Sequence, residues 1–240
     1  MGGIRASKNP NRLPISGNIR QWERRTLNEI NQGPEEGRVE VAAMFDTSGN
    51  PIDAYVGDRH SVSFDVRKLN APETEGATFT HMHPNSNFGG TLSLQDLKVF
   101  ARSNWGEMRA YTKQGQLYSI KANENVDREG LKKWLNSKES IIKKNFAQSY
   151  EKALNDAQKT LKSGPNAGKV KIIDKVTKRT DKNGKERTKI IYKYVKPMTD
   201  AQAAAYARQV SVGSIERAYR NGLAQFGVTF TKTKGGKSNS

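Results

Sequence analysis

Phe79-Thr-His81-Met-His83-Pro84-Asn-Ser-Asn-Phe-Gly-Gly-Thr-Leu-Ser93-Leu-Gln-Asp96 reads as a strand, a glycine-rich loop and the start of a helix. The chain has only three histidines, and two of them, His81 and His83, stand one residue apart here. Alternation along a strand puts both imidazoles on one face and Met82 on the other. Pro84 has no N–H to give a ladder and ends the strand. Ser93 is placed to cap a helix running to about residue 103, its side-chain oxygen accepting an N–H of the first turn, with Leu94, Leu97 and Phe100 on the buried side. Two imidazoles and a carboxylate make a nitrogen and oxygen set that suits Zn²⁺. Three protein ligands leave a fourth position open, the pattern of a catalytic rather than a structural site.

Outward from this stretch, the first half of the chain alternates helix and strand signals. Residues 1–17 are rich in Asn, Pro, Gly and Ser without periodicity and read as a flexible arm. Residues 18–31 carry Ile19, Trp22, Leu27 and Ile30 as a helical stripe, which Gly33-Pro34 ends. Residues 39–45 form a strand with Val39, Val41, Ala43 and Phe45 facing one way and Glu40, Ala42 and Met44 the other. Ser48-Gly49-Asn50-Pro51 turns it into a return strand over residues 52–56. A short strand or cleft loop over residues 61–66 and a hairpin of residues 108–112 and 116–120 complete the set, giving a mixed α/β (α+β) fold. His60 reads as a surface residue.

H-x-H-P followed by S-x-x-D, with a glutamate on an earlier strand, resembles the signature of the JAMM (MPN+ or JAB) metalloproteases. Here it is His81 to Pro84 and Ser93 to Asp96, and Val39-Glu40-Val41 resembles the strand that carries the family's catalytic glutamate. Glu35 and Glu36 are nearby competitors for that role. The resemblance covers roughly residues 19–120. The intervening loop is longer than the family's by the pair Asn85-Ser86, while Asn87-Phe88-Gly89 and Leu92-Ser93 are similar to the loop of the proteasome-lid deubiquitinase. An isolated H-x-H would read as a polar pair at a sheet edge; the combination is what carries weight. The resemblance implies a JAMM-like mixed β-sheet sandwiched by helices over residues 18–126, with one Zn²⁺ held by His81, His83 and Asp96. It implies Glu40 as general base and Ser93 as hydrogen-bond donor to the oxyanion. The implied reaction is hydrolysis of a peptide or isopeptide bond; the family's usual substrate is a ubiquitin-like protein joined to a lysine, or a sulfur-carrier tail.

The second half is a different material. The chain of 240 residues carries a net charge of +17, and residues 1–128 hold 16 Lys/Arg against 15 Asp/Glu while residues 129–240 hold 25 against 9. Asp127 opens a long helix to about residue 163, with Leu131, Trp134, Leu135, Ile141, Ile142, Phe146, Tyr150, Leu154 and Leu161 as its apolar positions. Basic strands over residues 169–178 and 187–196 flank Asn183-Gly184, a strong hairpin signal, with Val170, Ile172, Val176, Ile190, Tyr192 and Tyr194 expected on one face. A last helix to about residue 222 closes a basic helix–hairpin–helix extension over residues 127–229, and residues 230–240 are expected to be disordered. Such charge points to non-specific nucleic acid, or an acidic partner, bound through residues 129–240. A lysine-rich edge also guards a ribbon against aggregation.

The absence of cysteine excludes disulfides and thiolate zinc ligands. No apolar run approaches a membrane span, and the N-terminus lacks a signal-peptide core, so the expectation is a cytoplasmic protein, with phage association or signal-independent export as variants. Three functions fit: a zinc peptidase or isopeptidase recruited by its basic half; a nucleic-acid-binding or virion-type structural protein with a vestigial JAMM domain; and a toxin or effector peptidase from a phage or mobile element.

Overall fold

The computed structural model of the chain describes residues 3–32, 39–58, 60–83, 90–112, 115–180 and 186–234. Short alternating runs separated by turns build a mixed α/β fold. The strands β2 (Val41–Phe45) and β3 (Pro51–Val56) pair antiparallel, the first of the expected hairpins. The histidine strand β5 (Thr78–His83) lies between β2 and β6 (Glu107–Thr112), antiparallel to the one and parallel to the other. β6 turns into β7 (Gln116–Ala122), whose far edge is covered by β10 (Val228–Lys234), so the six-stranded order is β10-β7-β6-β5-β2-β3.

One face of this sheet is covered by α1 (Ile19–Gln32). Trp22 packs with Ala43, Phe45 and Ala54, and Leu27 lies against Met82 and Tyr111. The alternation predicted for residues 39–45 therefore holds: Ala43 and Phe45 face the helix, and Ala42 and Met44 face away. On the opposite face Phe79 stacks on Trp105 with centroids 4.7 Å apart, and Phe64 closes edge-on against both. Phe64 belongs to β4 (Ser61–Asp65), which pairs in parallel with β1 (Gly3–Ser7). α2 (Leu94–Arg102) buries Asp96, Leu97, Val99 and Phe100.

The described chain divides into two compact units, Met1–Ile142 with Ile215–Ser240, and Lys143–Ser214. α3 (Arg128–Gln158) and α4 (Asp200–Leu223) contribute residues to both. In the first unit Gly222 lies so close to Trp134 that an added Cβ would fall 2.2 Å from the indole ring, which only glycine permits. The second unit holds the antiparallel ribbon of β8 (Val170–Thr180) and β9 (Glu186–Val195). No helix among the described residues is long and apolar enough to cross a membrane.

Several expectations are corrected. Residues 1–17 are not an arm throughout: β1 is a strand, and Ile4 is fully buried on β4. Residues 230–234 are not a disordered tail, because Val228, Phe230 and their alternating threonines complete the sheet edge on β7. The boundary at residues 126/127 does not fall between the units, since the helices on either side of the ribbon extend from one unit into the other. The long helix stops at Gln158 rather than near residue 163, because Thr160 bridges to Val170. Ile141 points outward, 48% exposed. A bulge between Ile173 and Lys175 shifts the phase of β8, so Val170 and Ile172 lie on one face and Val176 joins Ile190, Tyr192 and Tyr194 on the other. The Gly33-Pro34 stop, Glu35, Glu36, the loop of residues 84–89, the Asn183-Gly184 turn and residues 235–240 lie outside the described residues.

Candidate metal centre

The register of the sheet makes room for His81. Its cross-strand neighbours are Ala42 on β2 and Ala110 on β6, whose methyl side chains leave space on the face that the imidazole occupies. His83 is two residues on, on the same face and partly buried, and the two Nε2 atoms lie 3.0 Å apart. Met82 points to the other face, against Tyr111.

Asp96 arrives from α2. Ser93 caps the helix in a capping box: the Asp96 N–H donates to Ser93 Oγ at 3.1 Å, and the Ser93 N–H donates to Asp96 Oδ2 at 2.6 Å. The buried Ile4 N–H of β1 donates to Asp96 Oδ1 at 3.0 Å. With both oxygens held, the carboxylate stands with Oδ2 3.5 Å from His81 Nε2. One ligand atom each from His81, His83 and Asp96 lies within 4.8 Å of the others, a group that could hold a metal ion.

Glu40 precedes β2 but continues its ladder: its N–H donates to the Asp58 carbonyl at 2.7 Å and its carbonyl accepts from Gly57 at 2.8 Å. A Cβ at Gly57 would fall 1.9 Å from the Ser61 carbonyl oxygen, so this close passage of chain requires glycine. Ala42 pairs with His81, and Glu40 lies two residues before it in the same alternation. The Glu40 side chain is thus on the histidine face. It is 4% exposed and its Oε2 has no hydrogen-bond partner.

The electrostatics follow from burial of these groups together. Burial raises the Glu40 carboxyl to about 7, against the attraction of His81 and with the repulsion of Asp96. Burial also opposes charge on Asp96, but His81, His83 and the Ile4 N–H outweigh it and hold Asp96 down at about 2. Burial pushes the His83 imidazole down to about 4, helped by the neighbouring His81. Burial likewise opposes charge on His81, yet Asp96 and Glu40 keep it above its ordinary value. Two imidazole nitrogens and a carboxylate oxygen converge here, a donor set of nitrogen and oxygen suited to a borderline divalent ion. Buried acceptors facing one another are costly without a proton or cation between them, and the orphaned Glu40 Oε2 and His81 Nδ1 beside them fit a site completed by an ion and water.

All five residues singled out in the sequence are accounted for. His81, His83 and Asp96 come together, Glu40 shares their face, and Ser93 caps the helix that presents Asp96. The cap uses an oxygen lone pair of Ser93 and leaves its hydroxyl hydrogen to donate. Two groups escaped the sequence reading. Thr91 Oγ1 and the Tyr219 hydroxyl are buried without partners, and ionisation of Tyr219 is opposed by burial and by the charge of Asp96. Tyr219 sits on α4, far along the chain among basic residues, and only the unpaired hydroxyl in the folded protein draws notice to it. Comparison of the chain with protein-family models, with curated proteins and with solved structures gave no match.

Proposed function

We propose that this protein is a zinc-dependent hydrolase of peptide or isopeptide bonds, working as the JAMM metalloproteases do. The observation that supports it most is the convergence of His81, His83 and Asp96, with ligand atoms within 4.8 Å of one another, beside Glu40, whose Oε2 has no hydrogen-bond partner. Zn²⁺ held by these three residues would supply Lewis acidity, making water more acidic and polarising a carbonyl.

The chain's own residues divide the remaining work. Glu40, which burial holds near neutrality, takes a proton from the attacking water and returns it to the leaving amine. The Ser93 hydroxyl donates to the carbonyl oxygen as negative charge develops there. Ile4 and Ser93 fix the Asp96 carboxylate through backbone N–H groups, so the ligand set does not have to be organised on binding.

Elemental analysis of the full chain purified without chelator tests this. One zinc per chain is expected, lost in His81→Ala and in His83→Ala, together with cleavage of a lysine-isopeptide-linked ubiquitin reporter or a mixed peptide pool. Zinc well below half an equivalent in the unmutated protein defeats the reading. A zinc-replete protein that cleaves neither substrate leaves a metal centre that is structural.

A further inference from the structure

The β8–β9 ribbon presents a surface whose composition is unusual for a solvated face. Val176 pairs with Ile190, and Tyr192 and Tyr194 follow on the same face of β9; the four are 39%, 43%, 46% and 44% exposed. They form one stripe of apolar and aromatic surface, with two phenol rings a strand repeat of about 7 Å apart. The segment that carries it is strongly basic: residues 169–196 contain 11 Lys/Arg against 3 Asp/Glu. Lys171 places its ammonium 4.4 Å from the centroid of the Tyr192 ring. Lys175 and Lys189 are also exposed, but they alternate with the stripe and lie on the other face of the ribbon. One of the three acids, Asp174, is paired with Lys193 at 3.0 Å.

The bulge creates this stripe. It moves Val176 out of the phase of the buried Val170 and Ile172 and onto the tyrosine face. It is held in place by Tyr206 of α4, whose hydroxyl accepts the Ile173 N–H at 2.7 Å. Without the extra residue, Val176 would continue the buried face and the exposed stripe would shorten.

We propose that this face of the ribbon binds single-stranded nucleic acid, with bases stacked on Tyr192 and Tyr194 and phosphates met by Lys171 beside them and drawn by the positive charge of the segment. The ligand must be an anion to suit the charge and must present flat apolar faces to suit the stripe; a polynucleotide strand with unpaired bases has both. A duplex hides its base faces, so the flat apolar surface of this stripe would find nothing to stack on there. Stacking and phosphate pairing ignore the sugar, so DNA and RNA strands are equivalent ligands. The inference is independent of the metal centre.

Fluorescence anisotropy of the full chain with short labelled oligo-dT, oligo-U and a mixed-sequence duplex tests it. Both single strands should bind more tightly than the duplex, and weaken with salt as phosphate contacts require. Tyr192→Ala and Tyr194→Ala should each weaken single-strand binding by roughly 5- to 100-fold, the range spanned by stacking of one base. Tyr192→Phe and Tyr194→Phe keep the ring and should bind as the unmutated chain, which separates stacking from any loss of fold. Alanine variants that bind single strands undiminished overturn the proposal, as does a duplex bound equally tightly. A dimer that Tyr192→Ala dissociates would show instead that a second copy covers the face.

Discussion

Glu23→Gln should remove a pH dependence from the stability of the fold. Glu23 lies on α1, 4% exposed, on the sheet face opposite His81. It accepts hydrogen bonds from Thr80 Oγ1 at 2.9 Å and from the Tyr111 hydroxyl, and lies 3.2 Å from Arg109 Nε. Burial still dominates these partners and raises its carboxyl from 4.5 to about 7. A carboxyl that holds its proton more tightly when folded favours the folded state while protonated. Between those two values the unfolded chain gives up the proton first, so stability falls as pH rises through the window and levels off above it. The displacement, at roughly 1.4 kcal/mol for each pH unit, corresponds to about 3–4 kcal/mol. Urea unfolding of both proteins below, within and above the window, with a chelator present, should show the variant gaining about that much on the unmutated chain across it. The glutamine also gives up the ion pair with Arg109, so the offset at one pH is not diagnostic and the slope is. A difference between the two proteins that stays flat with pH refutes the reasoning.

Glu40→Gln should keep its zinc and lose hydrolysis by roughly 10²–10⁴-fold, the worth of a positioned base. Glu35→Gln and Glu36→Gln should behave as the unmutated chain, and zinc loss from Glu40→Gln would make Glu40 a ligand instead. Ile4→Pro deletes the N–H that holds Asp96 Oδ1, and competition with a chelating dye should show metal affinity reduced by roughly 10- to 100-fold; unchanged affinity would mean that the Ser93 cap alone positions the carboxylate. Phe230→Ala removes a ring packed on Tyr219 and Tyr118 and should lower stability in urea by about 3–5 kcal/mol. A much smaller loss would show that β10 adds little to the sheet.

What the sequence made legible was what neighbouring residues decide. The β2–β3 turn, the alternation that sends Glu40 and Ala42 one way and Phe45 the other, and the Ser93 cap all rest on spacings of a few residues. The convergence of His81, His83 and Asp96, a group that could hold a metal ion, was legible for the same reason, because β5 and the first turn of α2 supply it within one stretch. What was lost depends on partners distant in the chain. Gly3–Ser7 has a single large apolar residue, Ile4, and becomes a strand only because β4 is there to pair with it. Val228–Lys234 alternates properly, but its lysines and its place near the end of the sequence disguised a sheet edge as a tail. The ribbon's two faces were misread because a bulge has no signature of its own in Ile173-Asp174-Lys175. Tyr219 had no local pattern at all.

The pairing of β10 with β7 sets an order of events during synthesis. Residues 116–122 leave the ribosome well before residues 228–234 can reach them, since chains emerge from the N-terminus and the whole of α3, the ribbon and α4 intervene. Throughout that interval the sheet that carries His81 has an open edge on β7, a template for pairing with other chains. The intervening segment is where the chain's positive charge is concentrated, so nascent copies repel one another while the edge is unprotected.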